Sequence, residues 1–231
     1  MPLYLTLEMV ACVAAYLGAP SGGRRPRAWA KYPWSKLVRG PAPPAATAFL
    51  LTLGLAFVLS LARPPAPDHH DELSYLVAAD TFASGRITNP PHPLWRHFET
   101  LHVLQQPTYQ SRYPPGQGLA LALGRTATDR YIVGAWLSVA AASAALYWCL
   151  IFWTPRPWAL LGAMLPVLRF GGLSAWNQYL YGYWTTSYWG GGVALLGGAL
   201  ALGGAARLGR SPRTVDATAF AAGLSLLAIS R

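Results

Sequence analysis

The sequence is short of charge, of acids and of cysteine. Only 11% of its 231 residues are charged, against roughly 25% in soluble domains. That shortage excludes an ordinary solvated globule. With 53% hydrophobic residues, ten tryptophans and twelve tyrosines, it points to an integral membrane protein. Acids are scarcer than bases, 8 against 18 Lys and Arg. The resulting net charge of +10 does not form a stripe suited to nucleic acid. The basic residues sit in short segments between apolar stretches, as in loops held on the cytoplasmic side of a membrane. The two cysteines, Cys12 and Cys149, each lie inside an apolar segment. No disulfide framework follows, and both read as inert core residues. No internal repeat is visible, which weighs against a transporter built from duplicated halves.

What is present is a run of apolar segments. Residues 3–18 are apolar apart from Glu8. They lack a basic start and a clean cleavage site, and read as an extra membrane helix, short for a span of ~20 residues. Residues 20–44 are a linker carrying Arg24, Arg25, Arg27, Lys31, Lys36 and Arg39 without one acid, a positive-inside signal. Residues 45–62 contain no charge and read as a membrane helix leaving the cytoplasmic side. The loop at 63–115 therefore faces outward. Further spans are expected at 131–153, at 158–175 (interrupted by Pro166 and Arg169), at 190–206 and from 217 onward. An aromatic loop at 177–187 lies outward, and Arg207, Arg210 and Arg213 return the chain to the basic side. The expected fold is all-α, a polytopic transmembrane helical bundle with a large first extracytoplasmic loop carrying short surface helices. It divides into an N-terminal apolar segment with its basic linker (1–44) and a transmembrane region (45–231). The last span stops in mid-pattern, so the chain is expected to be the N-terminal part of a longer protein.

The scarce ionisable groups are concentrated in the outer loop. Five of the eight carboxylates lie there (Asp68, Asp71, Glu72, Asp80 and Glu99), with all five histidines, His69, His70, His92, His97 and His102. The pattern predicts a helix from Asp71 to about Ser84, ended by Gly85. A second, amphipathic helix is expected over 95–105, with Trp95, Phe98, Leu101 and Leu104 along the membrane surface. Tyr113-Pro114-Pro115-Gly116 is a rigid turn into the next apolar run.

A carboxylate at the lipid boundary, with a cation nearby to keep it ionised, suits removal of a proton from a hydroxyl. Asp71 and Glu72 are the candidates for that work. Arg86, Arg96 and Arg112 lie in the same loop, and a guanidinium suits a phosphate leaving group. The structural alternative makes Asp71 an N-cap and Glu72 a first-turn acid favoured by the helix dipole. Among the histidines, Glu99 and His102 stand at i and i+3 and would share a helix face, which leaves a divalent metal open. No cofactor is otherwise implied.

Three motifs carry a resemblance: Asp71-Glu72-Leu73-Ser74-Tyr75-Leu76, Phe82-Ala83-Ser84-Gly85-Arg86 and Tyr113-Pro114-Pro115-Gly116. In this order, behind a membrane helix, they resemble the first outer loop of a GT-C type membrane glycosyltransferase. The nearest group is the glycosyltransferase family 39 and protein O-mannosyltransferase-like superfamily, which includes the aminoarabinose transferases of lipid A. The resemblance covers 45–231. It implies transfer of a hexosyl or pentosyl group from a polyprenyl-phosphate donor to a lipid, glycan or protein hydroxyl on the outer face. It implies that Asp71 is the base or acceptor-orienting carboxylate, with Glu72 completing the pair and Glu99 matching a second loop carboxylate. Arg112, just before the Pro-Pro motif, is a candidate phosphate contact, with Arg86, His102 and Tyr113 as further substrate-binding candidates. Many relatives carry Lys or His where this chain has Tyr113. The rival expectations are a membrane transporter and a non-catalytic assembly protein that binds polyprenyl phosphate.

Overall fold

The computed structural model describes residues 44–170 and 184–230, the side chains of 169 and 170 excepted. The expected segments at 3–18 and 20–43, and most of the aromatic loop at 177–187, lie outside the described residues. What is described is mostly helical. Seven α-helices follow in order: α1 (Pro44–Ala62), α2 (His70–Ala83), α3 (Pro115–Thr128), α4 (Tyr131–Leu150), α5 (Arg156–Phe170), α6 (Gly192–Leu208) and α7 (Thr214–Ala228). Of these, α1 and α4 are long and apolar enough to cross a membrane, while α6 and α7 are apolar but shorter.

Local signals explain most of the boundaries. Ser84 caps α2 with its backbone N–H on the Asp80 carbonyl, and Gly85 follows at φ 71°, a left-handed conformation that favours glycine. Pro115 opens α3, where the missing N–H would have had no helical acceptor. Helix α5 contains Pro166 and runs on to Phe170, so that proline removes one hydrogen bond without ending the helix.

Two expectations are corrected. Residues 95–105 are not an amphipathic helix. They hold a single 3₁₀ turn, Trp95–His97, followed by a short strand β1 (Val103–Leu104) paired antiparallel with β2 (Gln110–Ser111). Pro90, Pro91 and Pro93 remove N–H donors ahead of the turn, and His102 takes φ 64°, which no α-helix accommodates. A bridge between Asn89 and Tyr109 closes the same loop. The outer loop thus carries one true helix, α2. The second correction concerns Asp71. The residue before α2 is His69, in extended conformation, and Asp71 lies inside the first turn with Glu72. Asp71 is therefore not the N-cap, and its side chain is available for other contacts.

Helices α1, α4, α5, α6 and α7 run alternately up and down. The start of α1 packs with the end of α4 and with α5, through Ala48, Tyr147, Ala159 and Leu160. At the other end of α1, Ser60 Oγ donates to the Thr185 carbonyl at 2.9 Å. Trp136 Nε1, near the start of α4, donates to the same oxygen at 2.7 Å. The end of α7 returns to this side, where the Gly116 N–H donates to the Ile229 carbonyl at 2.8 Å. Helix α3 does not join the alternation. It crosses the start of α4 where Gly124 faces Gly134.

Packing in α1 is inverted relative to a soluble helix. Its buried residues are Ala48, Thr52, Ala56 and Ser60, whereas Leu50, Phe57, Val58 and Leu61 are all more than half exposed. Small residues face protein and large apolar ones face away. Water would penalise that arrangement by roughly 25 cal/mol per Å² of apolar surface; a hydrocarbon surrounding would not, and small residues let helices approach closely.

The α3–α4 crossing supplies a test. A Cβ on Gly134 would collide with the Ala120 backbone, while one on Gly198 would meet nothing within 4 Å. Gly134→Ala is expected to destabilise the fold by about 1–3 kcal/mol or more. Gly198→Ala is expected to be neutral or to stabilise by up to ~1 kcal/mol. Thermal loss of helical signal in the two variants measures the difference.

Candidate active site at the head of helix α2

Adjacent residues on a helix point about 100° apart, so Asp71 and Glu72 meet different surroundings. Glu72 points inward and is buried. Its Oε2 accepts the Tyr188 N–H at 2.9 Å and its Oε1 accepts the Asp68 N–H at 3.3 Å. His69 Nδ1 lies 3.4 Å from Oε1, and the His69 ring stacks on Trp189 at 4.9 Å. These contacts pin the segment around Tyr188 to the first turn of α2. The Tyr188 phenol is raised above the ordinary tyrosine range, first by burial and then by the Glu72 carboxylate.

Asp71 faces the β1–β2 loop and stays partly open, its side chain 27% exposed. Its Oδ1 accepts a hydrogen bond from the Tyr113 hydroxyl at 2.5 Å, and His102 Nε2 lies 3.0 Å from the same oxygen. None of the described residues donates to Oδ2. Three rings stack beside it: Tyr75 on Tyr113 at 4.8 Å and Tyr113 on His102 at 5.3 Å. Tyr75 is four residues beyond Asp71 and shares its helix face.

His102 is held in a strained conformation by its neighbours. Its carbonyl accepts Ser74 Oγ at 2.6 Å and the Arg112 N–H at 3.0 Å. Ser74 is buried and also bonds Ser111 Oγ at 2.7 Å, and Ser111 Oγ accepts the Tyr113 N–H at 3.1 Å. A left-handed φ at a non-glycine costs of order 1–3 kcal/mol and persists only where the surroundings over-determine it. Here the strain aims an imidazole at Asp71.

A cleft of about 170 Å³ adjoins the rings, lined by Tyr75, Pro114, Gln117, Trp189, Gly190 and Ser230 among others. Gln117 is buried, and its Nε2 donates to the carbonyls of Tyr188 and Trp189 at 3.0 and 3.1 Å. Those two bonds fix which end of the amide is the oxygen. Oε1 is left without a donor among the described residues, a buried acceptor that costs free energy until something donates to it.

Of the residues singled out in the sequence, the structure brings Asp71, His102 and Tyr113 into direct contact. Arg112 adjoins them; its side chain is exposed and its charge pulls against the rise of the Tyr113 phenol. Glu72 sits next to Asp71 in sequence, closed off from solvent. Arg86 and Glu99 are exposed and make no hydrogen bond or ion pair with the cluster. The pairing of Glu99 with His102 on one helix face does not form, because that helix is absent. Among the described residues no three His, Cys, Asp or Glu side chains gather as metal ligands. Sequence reading missed Ser74, Tyr75, Ser111, Gln117 and Trp189. The i+4 spacing of Tyr75 from Asp71 and the lone glutamine after Pro-Pro-Gly were the available signals.

No family model matches the chain, and no curated protein and no solved structure matches it.

Two expectations follow. Tyr113 is pushed up to about 12, by burial first and then by its bond to the Asp71 carboxylate. A raised phenol favours the protonated form, so its contribution is complete below the unfolded value of ~10 and is lost as pH climbs toward 12. The absorbance titration of wild type minus Tyr113→Phe should show one tyrosine ionising near 12; a component near 10 would contradict the buried bond. Glu72→Ala should cost about 1–3 kcal/mol for each N–H left without its acceptor, and Glu72→Gln less, as read by thermal unfolding.

Proposed function

We propose that the chain is a multi-pass membrane glycosyltransferase of the GT-C type that its loop motifs resemble. It would move a sugar from a polyprenyl-phosphate donor to a lipid, glycan or protein hydroxyl on the periplasmic or outer face of a bacterial-type inner membrane. The observation that carries this reading is Asp71: a partly open carboxylate with one oxygen held by the Tyr113 hydroxyl and approached by His102 Nε2, and with no donor to the other among the described residues, near a cleft with a buried, unpaired acceptor.

The membrane part of the reading is supported by α1 and α4 and by the inverted packing of α1. Ile87, Leu94, Phe98 and Leu101 are each more than half exposed on the loop, which suits contact with a lipid surface.

The chemistry is a single displacement. The acceptor hydroxyl oxygen attacks the anomeric carbon and forms the new glycosidic bond. The bond from that carbon to the phosphate oxygen breaks, and the polyprenyl phosphate leaves with the electron pair. Asp71 Oδ2 takes the hydroxyl proton, while Tyr113 and His102 fix the carboxylate plane through Oδ1. The exposed Arg112 neutralises the departing phosphate, the charge that most needs stabilisation in the transition state. In the cleft, Tyr75 and Trp189 offer ring faces to a sugar and Gln117 Oε1 accepts one of its hydroxyls. Glu72 acts by position, holding the cleft wall to α2.

The test is transfer of radiolabelled sugar from a membrane pool of polyprenyl-phosphate sugars. Asp71→Asn should lower transfer by roughly 10²–10⁴-fold, the usual contribution of a general base, while insertion and abundance stay unchanged. Equal transfer by both forms would remove Asp71 from the mechanism. Absence of transfer by the wild type, with polyprenyl phosphate still bound, would favour the non-catalytic assembly protein.

A further inference from the structure

The far end of the helices holds a second polar site, unrelated to Asp71. A cavity of about 330 Å³ opens where α4 and α6 end and α7 begins, lined by Trp148, Phe152, Arg207, Arg210, Arg213 and Asp216 among others. The arginines have different standing. Arg207 is anchored: Nη1 donates to the Gly203 carbonyl at 2.9 Å, Nη2 to the Trp148 carbonyl at 2.6 Å, and the guanidinium lies 3.8 Å over the Trp148 ring. Asp216 is the one carboxylate lining the cavity, and its charge acts on Arg207. Arg210 lies 4.2 Å over the Phe152 ring. Neither Arg210 nor Arg213 has an ion-pair partner among the described residues. Three guanidinium groups therefore border the cavity against one carboxylate, Asp216, which makes no ion pair with Arg210 or Arg213 among the described residues.

The start of α7 adds to the positive potential. Val215, in its first turn, also lines the cavity. In the first turn the Asp216 N–H is taken by the Arg213 carbonyl, which leaves the Thr214 and Val215 N–H groups without a helical acceptor, and Arg213 at the N-cap makes no side-chain cap. Helix N-terminus and arginine forks together are the usual chemistry for a tetrahedral oxyanion. Aromatic floors under Arg207 and Arg210 hold the guanidinium planes and leave their edges as donors. Trp153 and Trp158, each about half exposed, lie at this same end, where α4 gives way to α5. Tryptophans favour the headgroup level of a bilayer, and basic pockets between helices there suit anionic headgroups.

We propose that this cavity is a phosphoryl-anion site, filled by the headgroup phosphate of an anionic phospholipid. Only the choice of a lipid as the source rests on the membrane reading; the anion chemistry does not rest on it, nor on Asp71.

The test uses the full chain purified in neutral detergent, with dihexanoyl phosphatidic acid and inorganic phosphate as the two probes. Arginine modification by phenylglyoxal is mapped by mass spectrometry with and without each probe, and affinity is measured by calorimetry. Phosphatidic acid should protect Arg210 and Arg213 and leave Arg96, on the other loop, reactive. The Arg210→Gln, Arg213→Gln double variant should bind at least about tenfold more weakly, from the loss of charge-assisted hydrogen bonds. Asp71→Asn should bind like wild type, so failure of the transferase reading would leave this result intact. Equal protection by inorganic phosphate at the same concentrations would keep the anion site and overturn the lipid as its occupant. No protection by either probe, or undiminished affinity in the double variant, would overturn the site. The protection assay on wild type decides the matter even where the double variant fails to fold.

Discussion

The buried carboxylate of Glu72 is the constraint on which the site depends. A charge taken out of water must be matched by donors, and here the backbone N–H groups of Asp68 and Tyr188 supply them, with His69 Nδ1 3.4 Å away. Meeting that requirement fixes the roll of α2 about its own axis. Once Glu72 faces inward, its neighbour Asp71 is turned toward the β1–β2 loop, where Tyr113 and His102 meet it. Tyr75 follows one turn later on the same face, and through Tyr75 the Asp71 cluster is joined to the cleft that Gln117 and Trp189 line. Two acids side by side thus divide their roles, one holding the architecture and the other facing outward.

The helices behind this loop carry the same logic at larger scale. Five of them alternate in direction, so their turns gather at two ends. One end collects the loop acids, the histidines and the stacked rings, the other the Arg207–Arg213 cluster and the exposed Trp153 and Trp158. Over 20 residues α4 extends about 30 Å, the thickness of a bilayer's hydrocarbon core. Small residues pack the interior, and the large apolar side chains of α1 are turned outward. The proposed membrane enzyme, with its chemistry at one face and the proposed phospholipid-headgroup site at the other, joins these facts.

Much of this was legible from local signals. Gly85 marked the end of α2, Pro-Pro-Gly marked the start of α3, and the uncharged runs marked α1 and α4. The loop at 95–105 was misread because Trp95, Phe98, Leu101 and Leu104 have helical spacing, while the prolines before them and the strand pairing of Val103 with Ser111 decide the structure. Asp71 was open to reading as a cap because it heads a helix; only the structure shows the helix starting one residue earlier. The contacts that make the site are non-local. Asp71 and Tyr113 are 42 residues apart, Glu72 and Tyr188 are 116 apart, and no spacing rule connects them. Gln117 was hidden for another reason: a glutamine in an apolar run gives no sign of which of its atoms will lack a partner.

The proposed membrane topology requires the two ends of the helices to lie on opposite sides of a bilayer. Ser84, at the exposed end of α2, and Ser211, beside the arginine cavity, are both exposed and tolerate a cysteine on steric grounds. With Cys12 and Cys149 replaced by alanine, each position is changed to cysteine in turn and intact spheroplasts are treated with a membrane-impermeant maleimide. Labelling of Ser84→Cys in intact spheroplasts, with Ser211→Cys labelled only after permeabilisation, is the result the account predicts. Labelling of both positions from the same side would contradict it.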